Sequence, residues 1–102
     1  MLRTLYYTRN KKELQELYLS QIPEKYIRSE INSILNETRK EISPGMRLNA
    51  KNIRTDEAII FIERNGTPDG YLLSEELKIK LNDYREEAQK KKLFLKKINH
   101  VS

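Results

Sequence analysis

The 102-residue sequence predicts a single α+β domain, and three observations predict it. Residues 23–42 carry apolar side chains at helical spacing. Residues 58–63, AIIFIE, form a short apolar run that ends in a dense cluster of turn formers, Asn65-Gly66-Thr67-Pro68-Asp69-Gly70. A second helical pattern then extends from Ser74 to about Ile98.

The elements follow in chain order. Leu2 to Thr8 is rich in β-branched and aromatic residues and reads as a short strand. Asn10 followed by Glu13 resembles a capping box, which starts a helix through about Ser20 with Leu14, Leu17 and Tyr18 on its buried side. Ile22-Pro23 ends that helix, because the residue before proline avoids the α region. Pro23 suits the first turn of the next helix.

In residues 23–42, Ile27, Ile31, Ile34, Leu35, Thr38 (by its methyl) and Ile42 fall on one stripe. Lys25, Arg28, Ser29, Asn32, Asn36, Arg39 and Lys40 gather on the opposite face, with no acid among them. Glu30, Glu37 and Glu41 collect on one flank, and Glu24 lies on the other.

Ser43-Pro44-Gly45 stops this helix. Met46, Leu48 and Ala50 then alternate with Arg47, Asn49 and Lys51, a period-two pattern that predicts a short strand with a basic outer face. Residues 58–63 predict a buried strand, and Tyr71-Leu72-Leu73 its returning partner. Ser74 caps the last helix, whose first turn carries Glu75 and Glu76 at the positive end of the dipole. Leu77, Leu81, Tyr84, Ala88, Lys91, Leu95 and Ile98 follow alternating steps of four and three, a heptad seam interrupted by one lysine. The seam fits either a dimer interface or a helix packed on its own domain. A homodimer is expected, because so thin a core gains from a partner.

Composition narrows the function classes. Charged residues make up 34% of the chain and hydrophobic ones 37%, with net charge +5. Residues 1–51 hold 10 basic and 6 acidic side chains, residues 52–87 hold 5 and 9, and residues 88–102 hold 5 lysines and no acid. A basic balance of this kind suits a polyanionic partner. The chain has no cysteine, which excludes disulfides and thiolate metal sites. No apolar run reaches the length of a membrane span, and the N-terminus lacks the apolar core of a signal peptide. A cytoplasmic protein is expected, with no membrane, no cofactor, no metal and no small-molecule substrate.

The order helix, short turn, amphipathic helix, strand, Gly-containing turn, strand resembles a winged helix-turn-helix. Ile27-Arg28, Ile31 and Leu35 are spaced as in recognition helices of small phage and mobile-element regulators. Gly70-Tyr71-Leu72-Leu73-Ser74 followed by acids resembles their returning wing strand, which often leads into a long C-terminal helix. The resemblance covers roughly residues 10–95. It implies a winged-helix-like fold: a helix-turn-helix with a β-hairpin wing over 10–74, then a C-terminal, dimerising helix over 75–98. It further implies that the second helix enters the major groove, that the Glu63 to Gly70 turn is the wing, with Arg64 at its tip, and that the protein serves transcription, replication or segregation of a phage or mobile element.

The expected function is DNA binding. On that reading Arg28 or Lys25 donates to guanine edges, and Asn32 or Asn36 pairs with adenine. Arg39, Lys40 and Ser29 hold phosphates. Arg47, Asn49 and Lys51 extend the basic surface, although an edge strand guarded by charge has the same pattern. A solvated helix face also fits the residues of 23–42. Two readings of other classes stay open: an interaction module acting through the C-terminal helix, and an RNA binder.

Lys90-Lys91-Lys92 with Lys96-Lys97 fits a nucleic-acid arm or a solvated helix end, and Leu93 and Phe94 beside it suggest that the tail docks. Tyr6 and Tyr7 suit base stacking, but packing is the commoner role. Asp69, Glu76 and Lys78 faintly echo a nuclease pattern, although Glu76 and Lys78 open a helix rather than lie on a strand. No Ser/His/Asp set, Gly-rich phosphate loop or His/Cys metal spacing is present, so no enzymatic activity is expected.

Overall fold

A computed structural model describes residues 2–100, with side chains through residue 95. The protein is α+β and mostly helical. Its order is β1 (Arg3–Leu5), α1 (Lys11–Tyr18), α2 (Glu24–Thr38), α3 (Pro44–Asn49), α4 (Thr55–Asn65), β2 (Tyr71–Leu73) and α5 (Glu75–His100).

Local chemistry explains most of the boundaries. Asn10 caps α1 by accepting from the Glu13 N–H at 2.9 Å, and the Glu13 carboxylate accepts from the Arg9 N–H at 3.0 Å. This reciprocal pairing satisfies donors that the helix start leaves open. Helix α2 begins after Pro23 and ends at Thr38, four residues before the expected Ile42. Helix α4 closes on Gly66 at φ 83°, whose N–H reaches the Ile62 carbonyl at 2.8 Å. A positive φ of that size suits glycine alone.

Two expected strands are helices. Residues 58–63 lie inside α4. Ala58 and Phe61 face one apolar cluster with Leu14, Tyr18, Ile27, Ile31, Ile34, Leu35 and Ile53. Ile59 and Ile62 face a second, with Leu5, Leu73, Leu77 and Leu81. Serving two clusters fills 58–62 with five consecutive apolar residues, and a run that short has no periodicity to separate it from a strand. Met46 and Leu48 sit in α3, which starts with Pro44 in its first turn.

The β-hairpin wing is therefore absent among the described residues. β2 pairs with β1 instead, in parallel, with Arg3 opposite Tyr71, Thr4 opposite Leu72 and Leu5 opposite Leu73. The ends of the ladder are fixed by Arg3 N–H to the Gly70 carbonyl and Ser74 N–H to the Leu5 carbonyl, both at 2.9 Å. A single antiparallel bridge, Asn10 to Asn52, ties the start of α1 to the segment before α4. Side chains of the size of isoleucine contribute roughly 2 kcal/mol each when buried, and α4 collects them from both clusters. It is the central element on which α2 and α5 pack from either side.

Candidate nucleic-acid interface

Helix α2 turns its apolar stripe inward. Ile27, Ile31, Ile34 and Leu35 are all buried. Lys25, Arg28, Ser29 and Asn36 are exposed, and Asn32 is half-buried. They share one face of the helix, as expected from periodicity. At 15 residues the helix spans about 22 Å, enough to lie along a groove of B-form DNA.

Each carboxylate of α2 has an arginine within ion-pair distance, with Arg64 shared by two. Glu24 pairs with Arg28 at 2.9 Å, one turn away and largely in water. Glu37 pairs with Arg64 at 2.6 Å, and Glu30 with the same guanidinium at 3.6 Å. Among the described residues, Lys12, Lys25, Lys40 and Lys51 have no carboxylate within ion-pair distance.

Three expected DNA contacts are taken by the fold. Arg39 follows the last residue of α2 with φ −122° and ψ 45°, so it leaves the helical phase that would align it with Asn32 and Asn36. Its side chain folds onto Glu57 instead, Nε to Oε2 at 2.9 Å and Nη2 to Oε1 at 2.8 Å. Arg64 sits in α4 and ties that helix to α2 through Glu37 and Glu30; no wing tip carries it. Arg47 is half-buried and donates to the Asn36 carbonyl at 3.3 Å, near the end of α2. Its Nε is buried without a partner.

Glu57 anchors this corner. Burial pushes its carboxyl up, but hydrogen bonds from Arg39, Thr38 and the Arg54 backbone outweigh that and hold it down, at about 2. Arg39 is pushed up by its hydrogen bond to Glu57. A buried charge kept ionised needs such partners.

A second cationic surface lies where α1 begins. Lys11, Lys12 and Gln15 of α1 face Asn49, Lys51 and Asn52 across a groove of about 590 Å³ whose lining holds no carboxylate. Lys11 donates to the Leu48 carbonyl at 2.7 Å. Its ammonium is pushed down by burial and by Arg39, against the pull of Glu57. The one linear signal for this groove is Lys51. The antiparallel bridge at Asn10 and Asn52, which the linear pattern does not encode, joins Lys51 to Lys11 and Lys12.

The C-terminal seam is divided. Leu77 and Leu81 are buried in this chain's own core, so neither is available to a second copy. Tyr84 packs on the edge of the same cluster. Ala88 is half-buried, while Leu93, Phe94 and Leu95 are 63%, 64% and 59% exposed. The side chain of Ile98 lies outside the described residues.

Of the residues of the nuclease-like echo, Asp69 lies in the turn before β2, and Glu76 and Lys78 lie near the start of α5. The Asp69 N–H donates to the Gln21 side chain at 2.6 Å. Glu76 pairs with Lys80 at 3.6 Å and Lys78 with Glu75 at 3.3 Å, all within α5. Among the described residues no group of three His, Cys, Asp or Glu side chains could hold a metal ion, and no helix is long and apolar enough to cross a membrane. Comparison with protein-family models, with curated proteins and with solved structures finds no match.

Proposed function

We propose that this protein binds double-stranded DNA, with α2 in the major groove and the Lys11/Lys12/Lys51 groove on an adjacent phosphate strand. One observation carries the reading. The outer face of α2 offers Lys25, Arg28, Ser29, Asn32 and Asn36 together, while Glu30 and Glu37 on its flank share Arg64 and Glu24 pairs with Arg28 itself. Arg28 gives up little by leaving Glu24, because an exposed pair one turn apart is worth only a few tenths of a kcal/mol. Arginine and asparagine are the side chains that form paired hydrogen bonds to guanine and adenine edges. Lysines in the groove position the chain without reading bases.

The α1–turn–α2 unit is the part of the helix-turn-helix resemblance that this reading uses; it needs no wing. By that resemblance the role is a regulator or accessory factor of phage or mobile-element DNA. Catalysis has no part in the proposal.

Titration of random duplex DNA across a salt series tests it. Neutralising about five phosphates gives a log–log slope near −4 to −5. Arg28→Ala with Asn32→Ala should abolish sequence preference, and a mobility shift with the DNA upstream of the protein's own gene gives the specific probe. An affinity indifferent to salt overturns the reading. Preference for structured RNA in competition overturns it in favour of an RNA binder.

A further inference from the structure

Helix α5 outruns the body it packs on. Its buried contacts end with Leu81, and Tyr84 and Ala88 are only half-covered. Beyond Ala88 the described side chains are exposed, and three consecutive ones, Leu93, Phe94 and Leu95, are large and apolar. Helical phase places Lys91, Phe94 and Leu95 on the side of α5 that also carries Tyr84 and Glu87.

On that same side, next to the body, lies an open groove of about 380 Å³ between α4 and α5. Ile59, Ile60 and Tyr84 supply its apolar lining, and Asp56, Asp83 and Glu87 its charged edge. Lys80 also borders it, already paired with Glu76 at 3.6 Å. Of the acids lining the groove, Asp83 and Glu87 have no cation within ion-pair distance among the described residues, whereas Asp56 lies 3.9 Å from Arg54.

The charges of α5 are segregated along its length. Residues 75–87 hold five acids and three basic residues, while residues 88–100 hold five lysines and no acid. Two such helices side by side in parallel set lysine against lysine. Antiparallel, each lysine-rich half meets the other's acidic half. Like-charge juxtaposition is strongly disfavoured at an interface, and opposite patches steer and register it.

We propose that two copies of this chain pair antiparallel through α5, the exposed Phe94 and Leu95 of each copy seating in the α4/α5 groove of the other. The two-fold axis passes near Ala88, whose small side chain lets the helices approach. Lys90 and Lys91 of one copy meet Asp83 and Glu87 of the other, and the contact is repeated by symmetry. This is an isologous interface: the same patch on both subunits, closed at two. It is separate from the α2 face and does not depend on what that face binds.

The test uses the full chain at tens of micromolar in sedimentation equilibrium. The wild type should sediment as a dimer. Phe94→Glu should give a folded monomer with an unchanged helical signal at 20 °C and a melting midpoint that no longer depends on protein concentration, because Phe94 lies outside the monomer core. Asp83→Lys with Glu87→Lys should raise the dimer dissociation constant at least about tenfold. Orientation is read from single cysteines, in a chain that has none of its own. Ala88→Cys should cross-link to itself under mild oxidation, and Leu95→Cys should not. A monomeric wild type overturns the proposal. So does a dimer that tolerates Phe94→Glu, one indifferent to charge reversal, or one in which Leu95→Cys links to itself, the signature of a parallel pair.

Discussion

Arg39 and Glu57, eighteen positions apart, grip each other at two points, 2.9 Å and 2.8 Å. The guanidinium comes from the residue that ends α2 and the carboxylate from the first turn of α4. The carboxylate also accepts from the Arg54 N–H at 2.8 Å and from the Thr38 hydroxyl. Arg39 reaches further, to the Asn52 carbonyl at 3.1 Å. One ion pair thus fixes the end of α2, the start of α4 and the segment that borders the cationic groove. Removing Arg39 leaves the buried Glu57 carboxylate to the half-exposed Arg54 guanidinium at 3.3 Å and to two neutral donors, so Arg39→Ala should lower stability by about 2 kcal/mol in urea unfolding. Arg39→Lys should recover only part, because an ammonium cannot make the two-point contact.

The same carboxylate makes the fold acid-sensitive. It titrates at about 2 when folded, against an ordinary 4.5. The depressed value means that its contribution is complete above pH 4.5 and is lost as pH falls towards 2. The contribution is roughly 3 kcal/mol. Urea midpoints measured from pH 6 downward should hold steady and then fall within that window. Glu57→Gln should be less stable at neutral pH and show a flatter acid limb.

Tyr18 is fully buried and donates its hydroxyl to the Gly66 carbonyl at 2.6 Å, joining α1 to the end of α4. Its ring lies 4.8 Å from that of Phe61. Tyr18→Phe keeps the ring and removes the bond. The expected loss is about 1 kcal/mol, read as a lower thermal midpoint with an unchanged circular dichroism spectrum.

The groove lysines should act on affinity alone. Lys12 and Lys51 are exposed and free of carboxylate partners. Replacing either with alanine should reduce the salt slope of DNA binding by about one unit and weaken all sequences alike. Thermal stability should not move. Arg39→Ala differs in kind, since it lowers stability before it touches binding.

The legible parts of this chain were those with local signatures. The Asn10–Glu13 cap, the isoleucine stripe of α2 and the Ser74 start of α5 each appear in the sequence as a spacing, and the structure places them there. Helix α4 was not legible, because the five consecutive apolar residues 58–62, which serve two clusters, hide the helical period. Ser43-Pro44 starts α3 rather than stopping α2, which has already ended at Thr38, and Met46, Leu48 and Ala50 imitated a strand over too few residues to be separated from one turn of helix. Parallel pairing of β1 with β2 joins segments remote in sequence and leaves no local trace. On the proposed interface, Lys25, Arg28, Ser29, Asn32 and Asn36 followed from periodicity. Arg39 and Arg64 did not, since their acidic partners come from other elements.

The pairing of β1 with β2 also sets an order of events. Residues 3–5 leave the ribosome well before their partner strand, which emerges only after four helices have been made. Until then Leu5 has no ladder to join, and the cluster it shares with Leu73 and Leu77 stays unfilled. Closing so long a loop is entropically slow, whereas α1, α2 and α4 need only nearer neighbours. We expect β1 to lock after those helices. In pulsed hydrogen exchange during refolding, the Ser74 amide, bonded to the Leu5 carbonyl, should gain protection after the amides of α2; earlier protection would contradict that sequence of steps.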